Sequence, residues 1–527
     1  MSPSRIIYTL LTLALPSTAT ALQAQQAGPP PDPARLRQQV RTWREAREAA
    51  ILRDLAALLA IPNLAADRVN IRRNAEHLVG MLTSRGISAR LLEVEGSPPA
   101  VYGELLVPGA TRTIVLYAHY DGQPVDTAKW ASAPFTPVLR SRALQEHGRD
   151  IPFPADGDRV DPEARVYARS ASDDKSPIVA MLAAVDALRA AEVPLSVNLK
   201  FFFEGEEEAG SDHLREMLTR YADQLRADAW LFMDGPVHQT RRPMVTFGVR
   251  GVVGLNLTVY GPTRPLHSGH YGNWAPNPNV LLVHLLASMR DLDGRITIAG
   301  YYDDVRPVSA AERAALASVP AVDEQLRREL GLQATEDNAA RLDERILLPG
   351  LNVGGLQGGR TGAGGANLIG IESSAYIDFR LVPNQTPSRV RELVEAHIRS
   401  QGFHILREAP DSLTRRQHSR IVRAAWGDEG YPAFRTSLDL PVSRAVVRTA
   451  EQALGQPVIQ FPSSGGSLGI YHFDEVLKVP LIFVPIVNHD NNQHGENENL
   501  RLQNLWDGIE LIAGLLARLG YEWRGTT

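Results

Sequence analysis

The residues of this chain that can do chemistry stand at five places. They are His119 in TIVLYAHYD (113–121), Asp173 in ARSASDDKSP (168–177), Glu208 in KFFFEGEEEAGS (200–211), Asp234 in WLFMDG (230–235) and His494 in NHDNNQHGENENL (488–500). Imidazole nitrogen and carboxylate oxygen are the donors that zinc and related divalent ions take. Two ions held close together need a bridging carboxylate and about two further ligands each. The five residues supply such a set, and the chemistry of a paired-ion site is hydrolytic.

Placement strengthens the reading. Ile114–Tyr117 is an apolar run ending just before His119, and Val197–Phe203 is another, followed by the acidic cluster Glu204–Glu208. Trp230–Met233 precedes Asp234, and Leu481–Val487 precedes the loop with His494. Asp173 and Asp174 lie just before a helical stretch, Pro177–Ala191, with proline near its first turn. In open α/β sheets ligands bind beyond the carboxyl ends of the strands. Four strand ends and one helix start therefore converge if these strands share one sheet.

Further motifs accompany these five. His119-Tyr120-Asp121 is a His-x-Asp, Asp173-Asp174-Lys175 an Asp-Asp-Lys, and Glu207 to Ser211 a Glu-Glu-x-Gly-Ser. Leu266 to Gly269 reads Leu-His-Ser-Gly, Arg380 to Pro383 Arg-Leu-Val-Pro, and His494 to Glu498 His-x-x-Asn-Glu. Over roughly residues 45 to 520 the chain resembles the family of acetylornithine deacetylase, succinyl-diaminopimelate desuccinylase, carboxypeptidase G and the carnosinases. Within it the chain is most similar to the carnosinase-like dipeptidase branch. It departs where the family has Gly-Arg-Gly before the Asp-Asp pair and Gly after the Lys: here stand Ala168, Arg169, Ser170 and Ser176. Gly370 replaces a usual proline after Asn367-Leu368-Ile369, and the stretch Arg140–Arg165 is longer than the family's short hairpin.

The resemblance implies two divalent ions, zinc with manganese or cobalt as alternatives. Asp173 would bridge them, with a cis Asp173–Asp174 peptide; His119 and Asp234 would complete one ion, Glu208 and His494 the other. Asp121 would orient the His119 ring. Glu207 would be the general base, taking a proton from a water that bridges the ions and passing it to the leaving amine. Glu206 competes for that role, and Glu204 is a third acid within reach. His267 would donate to the developing oxyanion from the partner subunit of a homodimer. Asn367 and Arg380 would hold the substrate's carbonyl and carboxylate, although Arg380 also has the option of an internal acid. In the small-residue loop Ser463–Ser467, Ser467 is the substrate-contacting candidate; a solvated turn is the competing reading. The substrate expected is a short peptide, above all a dipeptide, a choice that Asp234 favours because deacylase relatives often carry Glu there. The alternative is an N-acyl or N-carbamoyl amino acid.

Composition bounds the rest. The chain has 527 residues, a formal net charge of −5 and no cysteine. That length permits two or more domains and a substantial core. The mild negative charge without a basic run argues against a nucleic-acid partner. Disulfides, thiolate ligands and a lipid-modified N-terminal cysteine are excluded. Arg5, the apolar Ile6–Leu15 and the small residues through Ala21 have the layout of a secretory signal. The run is shorter than the about 20 residues that span a bilayer. The expectation is export to the periplasm or medium, with residues 1–24 a signal peptide and 25–33 a disordered tether, and no stable membrane insertion.

The fold class expected is α/β. A mixed, largely parallel sheet with helices on both faces makes a catalytic domain over 34–247 and 436–527. An α+β lid and dimerisation domain over 248–435 is inserted into it. Ala34–Ala60 reads as one helix and Ile71–Arg85 as a second. Val252–Tyr260 and Ser373–Val382 read as lid strands, Asn279–Leu292 and Pro387–Gln401 as lid helices. The run Gly354–Gly365 lacks the Lys-Ser/Thr ending of a phosphate loop and reads as a flexible connection.

Overall fold

The computed structural model describes residues 29–337, 340–427, 430–466 and 469–523. Its main sheet has eight strands. In order they are Ser88–Leu92, Ala100–Leu105, Asn198–Glu204, Thr113–His119, Ala229–Phe232, Leu481–Phe483, Met244–Thr246 and Ile459–Phe461. The four at the centre run parallel, and their register aligns His119 with Glu204, Tyr117 with Phe232 and Phe483 with Phe232. Ala100–Leu105 pairs antiparallel with both Asn198–Glu204 and Ser88–Leu92, so the sheet is mixed.

The central strands are unbroken apolar runs because both faces are covered. Ile114, Leu116, Phe201, Phe203 and Leu231 face a core built with helices Lys175–Ala190, Pro441–Leu454 and Leu502–Glu522. Val115, Tyr117, Phe202, Trp230 and Phe232 face the opposite core, with Leu214, Met217 and Phe473. Alternate side chains thus serve opposite layers, and the carboxyl ends are left to carry polar residues.

A second sheet draws all five strands from the segment between Gly251 and Trp426: Gly350–Gln357, Glu372–Leu381, Gly251–Tyr260, Ile421–Trp426 and His404–Leu406. Its pairs are antiparallel except the last. Val253, Leu255, Leu257 and Val259 alternate onto one face, where helices Pro278–Met289 and Pro387–Ser400 pack through Leu282, Leu285, Val390 and Val394. A third sheet of four short strands ties Val138–Arg140, Asp150–Ile151 and Arg165–Tyr167 to Asn499–Arg501. The long stretch 140–165 thereby starts, passes once and ends in strands of a sheet that reaches the C-terminal segment.

Several local expectations differ from the structure. The single helix expected over Ala34–Ala60 is two, Pro33–Glu45 and Glu48–Leu59. No glycine or proline marks the break. It lets Leu36 and Val40 of the first piece and Leu52, Leu55 and Leu59 of the second join the same core. The expected tether through Pro33 is shorter, because Pro33 opens the first helix and Asp32 caps it by accepting from Arg35 N. Residues 1–28, which include the expected signal segment, lie outside the described residues. The first four residues of the Gly354–Gly365 run belong to an edge strand, not a free connection. Backbone pairing needs no side chain, and Gly354 lies so close to Tyr376 that a Cβ there would come within 3.1 Å of the ring. No helix among the described residues is long and apolar enough to cross a membrane.

Candidate metal centre

The turns after Thr113–His119 and Asn198–Glu204 are tied to each other by hydrogen bonds. His119 is the last residue of its strand, and Asp121, fully buried two residues on, accepts from the backbone N–H groups of Glu207 (3.1 Å) and Glu208 (3.0 Å). The same carboxylate lies 3.3 Å from His119 Nδ1. Asp121 therefore clamps two strand ends together and faces the ring expected to need orienting.

The three acids that compete in the run 204–207 are separated by their partners. Glu204 accepts from Tyr117 Oη (2.8 Å) and Ser211 Oγ (2.6 Å). Glu206 turns away to His213, meeting its N–H at 2.8 Å and Nδ1 at 3.0 Å. Glu207 and Glu208 are the two that line the cleft, and Glu207 Oε2 is 3.9 Å from His119 Nε2. Gln123 donates to Glu208 Oε2 at 2.7 Å.

Asp173 presents its two oxygens to two different histidines. Oδ1 is 2.8 Å from His119 Nε2, and Oδ2 is 3.1 Å from His494 Nε2. His494 Nε2 is also 3.2 Å from Glu208 Oε2. Two groups of donor atoms result, His119–Asp173–Asp234 and Asp173–Glu208–His494, each with its atoms within 4.8 Å of one another. The Asp173–Asp174 peptide is cis. Asp174 accepts from His119 N at 3.3 Å, and the motif's lysine, Lys175, is buried with Nζ bonded to the carbonyls of Leu58 and Ile61.

The residue that sequence reading left without a role is Glu498. Its Oε1 accepts from Ser172 N (3.0 Å), Ser172 Oγ (2.9 Å) and Asp173 N (2.9 Å); its Oε2 accepts from Ser170 N (2.9 Å) and Arg169 (2.8 Å). The turn that presents Asp173 is thus wrapped around a carboxylate from the His494 loop. The ladder of Asn499–Arg501 with Arg165–Tyr167 brings the two segments together. Asp490, bonded to Arg165 (2.6 Å) and Arg501 (2.8 Å), pins the other end of the loop. The signal in the sequence was the acid four residues after His494.

The donor set fits a pair of divalent ions. Asp173 Oδ2, though close to His494, is buried without a hydrogen-bond partner. Burial and then the Asp173 charge push Glu208 up to about 7 and Asp234 up to about 6. Burial likewise raises Glu207 well above the ordinary carboxylate range. Against its own burial, His119 and His494 hold Asp173 below that range. Acids crowded in this way hold protons unless cations neutralise them, and carboxylates with imidazoles are what zinc, manganese or cobalt accept. The cleft over the two groups has a volume of about 970 Å³.

The structure does not bring the lid candidates into this cleft. His267 is exposed, its Nδ1 accepting from Gly269 N at 3.0 Å, and exposed Asn367 bonds through its carbonyl to Ser268 N. Arg380 donates to Asp378 at 3.1 Å, but it stands directly opposite Val252, which does line the cleft. Ser467 lies outside the described residues.

Residues 115–518 match peptidase family M20/M25/M40. The chain belongs to that family. It is a metallopeptidase-type hydrolase in the carnosinase-like branch, as its curated relatives indicate. It is 26% identical over 476 residues to the Cys-Gly metallodipeptidase dug1 of Schizosaccharomyces pombe, covering 87% of this chain and 93% of that one. It is 26% identical to the Beta-Ala-His dipeptidase of Homo sapiens, covering 80% of this chain and 78% of that protein. Among solved structures it resembles the M20 family metallo-carboxypeptidase Sso-CP2 of Sulfolobus solfataricus, at 27% identity and a TM-score of 0.69 over 89% of this chain and 99% of that one. It shares the fold of human carnosine dipeptidase 1, at 24% identity and a TM-score of 0.67 over 94% of this chain and all of that one.

Proposed function

We propose that the chain is an exported, homodimeric dipeptidase working with two divalent ions. The observation that carries this reading is the placement of Asp173, one oxygen toward each histidine, with Glu207 beside the pair. His119 and Asp234 would hold one ion and Glu208 and His494 the other, with Asp173 shared. When bound, the ions supply Lewis-acid charge for the scissile carbonyl and make water acidic enough to attack at neutral pH.

The chain's own residues do the rest. Glu207 takes a proton from the attacking water and delivers it to the amine nitrogen as the C–N bond breaks. Asp121 keeps the His119 ring and the Glu207–Glu208 turn in register. Arg380, swung from Asp378, takes the substrate's terminal carboxylate. Asn367 binds the carbonyl, Ser467 contacts the substrate, and His267 donates to the oxyanion from a partner subunit. The dipeptidases among the relatives support the substrate class, and the residue layout of 1–24 supports export.

The test is a screen of purified, metal-loaded protein against dipeptides and against N-acyl and N-carbamoyl amino acids. Hydrolysis of dipeptides with little on the acylated compounds supports the reading. Turnover of only the acylated compounds would assign the site to an amidohydrolase instead.

A further inference from the structure

The cleft has an apolar side that the metal chemistry does not use. Tyr431 and Tyr471 both line it, and their rings stack with centroids 5.3 Å apart and planes 9° from parallel. The two come from different parts of the molecule: Tyr471 opens the helix Tyr471–Leu477, and Tyr431 lies on the segment returning from the second sheet. Val252 N donates to Tyr431 O, and Tyr431 N to Val252 O, both at 3.0 Å. On its other side Val252 pairs in register with Arg380. Residues directly opposite in antiparallel neighbours project to the same face. Val252 faces the cleft, so Arg380, Val252 and Tyr431 form one row in register, with Val252 and Tyr431 lining the cleft and Arg380 at the row's far end, in the neighbouring cavity. Gly430, Gly465 and Gly466 also line the cleft and put no side chain into the space there.

We propose that Tyr431, stacked on Tyr471, is the wall that receives the side chain of the substrate's C-terminal residue, so that the enzyme prefers dipeptides ending in an aromatic or large apolar residue. This rests on the reading that Arg380 holds the terminal carboxylate. Carboxylate and side chain leave the same Cα. With the carboxylate at the Arg380 end of the row, the side chain extends toward Tyr431. Strands about 4.8 Å apart make that row about 10 Å long, and a phenylalanine, whose ring lies about 5 Å from its carboxylate, reaches from the Arg380 end partway along it toward Tyr431. A stacked tyrosine pair offers an aromatic or aliphatic group a flat apolar surface.

The experiment compares kcat/KM of the metal-loaded full chain on Ala-Gly, Ala-Leu, Ala-Phe and Phe-Ala. Wild type should favour Ala-Phe and Ala-Leu over Ala-Gly by roughly tenfold or more, the scale on which an apolar pocket discriminates. Tyr431→Ala should lower the Ala-Phe value about tenfold more than the Ala-Gly value, and Tyr431→Phe should restore the ratio. No preference at the C-terminal position, or one that survives Tyr431→Ala, would overturn the proposal. Metal content and thermal unfolding identify a variant that has lost its fold, in which case Tyr431→Leu takes its place. If wild type hydrolyses no dipeptide, the proposed function fails on its own. Calorimetric binding of Ala-Phe and Ala-Gly to the Glu207→Gln protein still reads the wall: tighter Ala-Phe supports it, and equal affinities overturn it.

Discussion

Glu498→Gln changes one atom of a side chain that touches no substrate, yet it should disable the site. The carboxylate is fully buried and accepts from five donors, three at one oxygen and two at the other. An amide can keep only one of those oxygens. Whichever is lost, at least two donors then face an NH2 group. If the lost oxygen is Oε2, one of the stranded donors is Arg169, whose side chain is 2% exposed. A buried donor left unmade costs about 1–3 kcal/mol, and opening a buried ion pair costs about 3–5 kcal/mol. Arg169 keeps its contact with the Trp130 ring, which softens the loss. The expected destabilisation is about 3–6 kcal/mol, a large share of the stability of an ordinary domain. Because Asp173 N is one of the five donors, the turn that offers Asp173 should loosen as well, and metal affinity should fall with it. The assay is urea unfolding of the chelator-treated protein together with metal content after dialysis. Glu496→Gln, at an exposed position two residues away, is the control. A Glu498→Gln protein within 1 kcal/mol of wild type, with metal fully retained, would refute the claim that this carboxylate organises the centre.

Other outcomes are expected. Glu207→Gln should leave metal content near wild type and lower turnover by about 10² to 10⁴; a benign Glu207→Gln beside a damaging Glu206→Gln would contradict the geometry that turns Glu206 to His213. Mixing inactive His267→Ala and Glu207→Gln proteins should restore part of the activity if the lid histidine acts across a dimer, and no recovery despite demonstrated subunit exchange would contradict that. Asp490, opposed by its burial but bonded to Arg165 and Asn488, is held at about 2 against an ordinary value of 3.8. A lowered carboxylate pKa contributes stability that is present above pH 4 and lost as the pH falls through 2. The shift corresponds to at most about 2.5 kcal/mol; with 39% of the side chain exposed, screening leaves about 1 kcal/mol. Asp490→Asn should therefore cost about 1 kcal/mol in urea unfolding at pH 7 and about half of that at pH 3, and an equal cost at both would refute the assignment.

What the sequence made legible was local. His119, the 204–208 cluster and Asp234 each follow an apolar run, and such runs are strands because both faces of the sheet are covered. What it could not show was which of several like residues turns inward. Glu204, Glu206 and Glu207 are adjacent acids until Tyr117, Ser211 and His213 claim the first two. Glu498 is more than 320 residues from the turn it holds, and no periodicity carries such a contact. The break between Pro33–Glu45 and Glu48–Leu59 has no glycine or proline, so only packing against the common core reveals it. Tyr431 and Tyr471 are ordinary residues in sequence, and their pairing depends on the return of the chain from the second sheet.

The central claim is that two clusters sharing Asp173 hold two ions on which hydrolysis depends. The most direct measurement is a titration of metal-stripped protein with zinc, reading bound ions per chain and dipeptide hydrolysis in the same samples. The account predicts two ions per chain, activity that appears only as they bind, and one retained ion in His494→Ala. Full activity in the presence of chelator, or two ions still bound by His494→Ala, would contradict it.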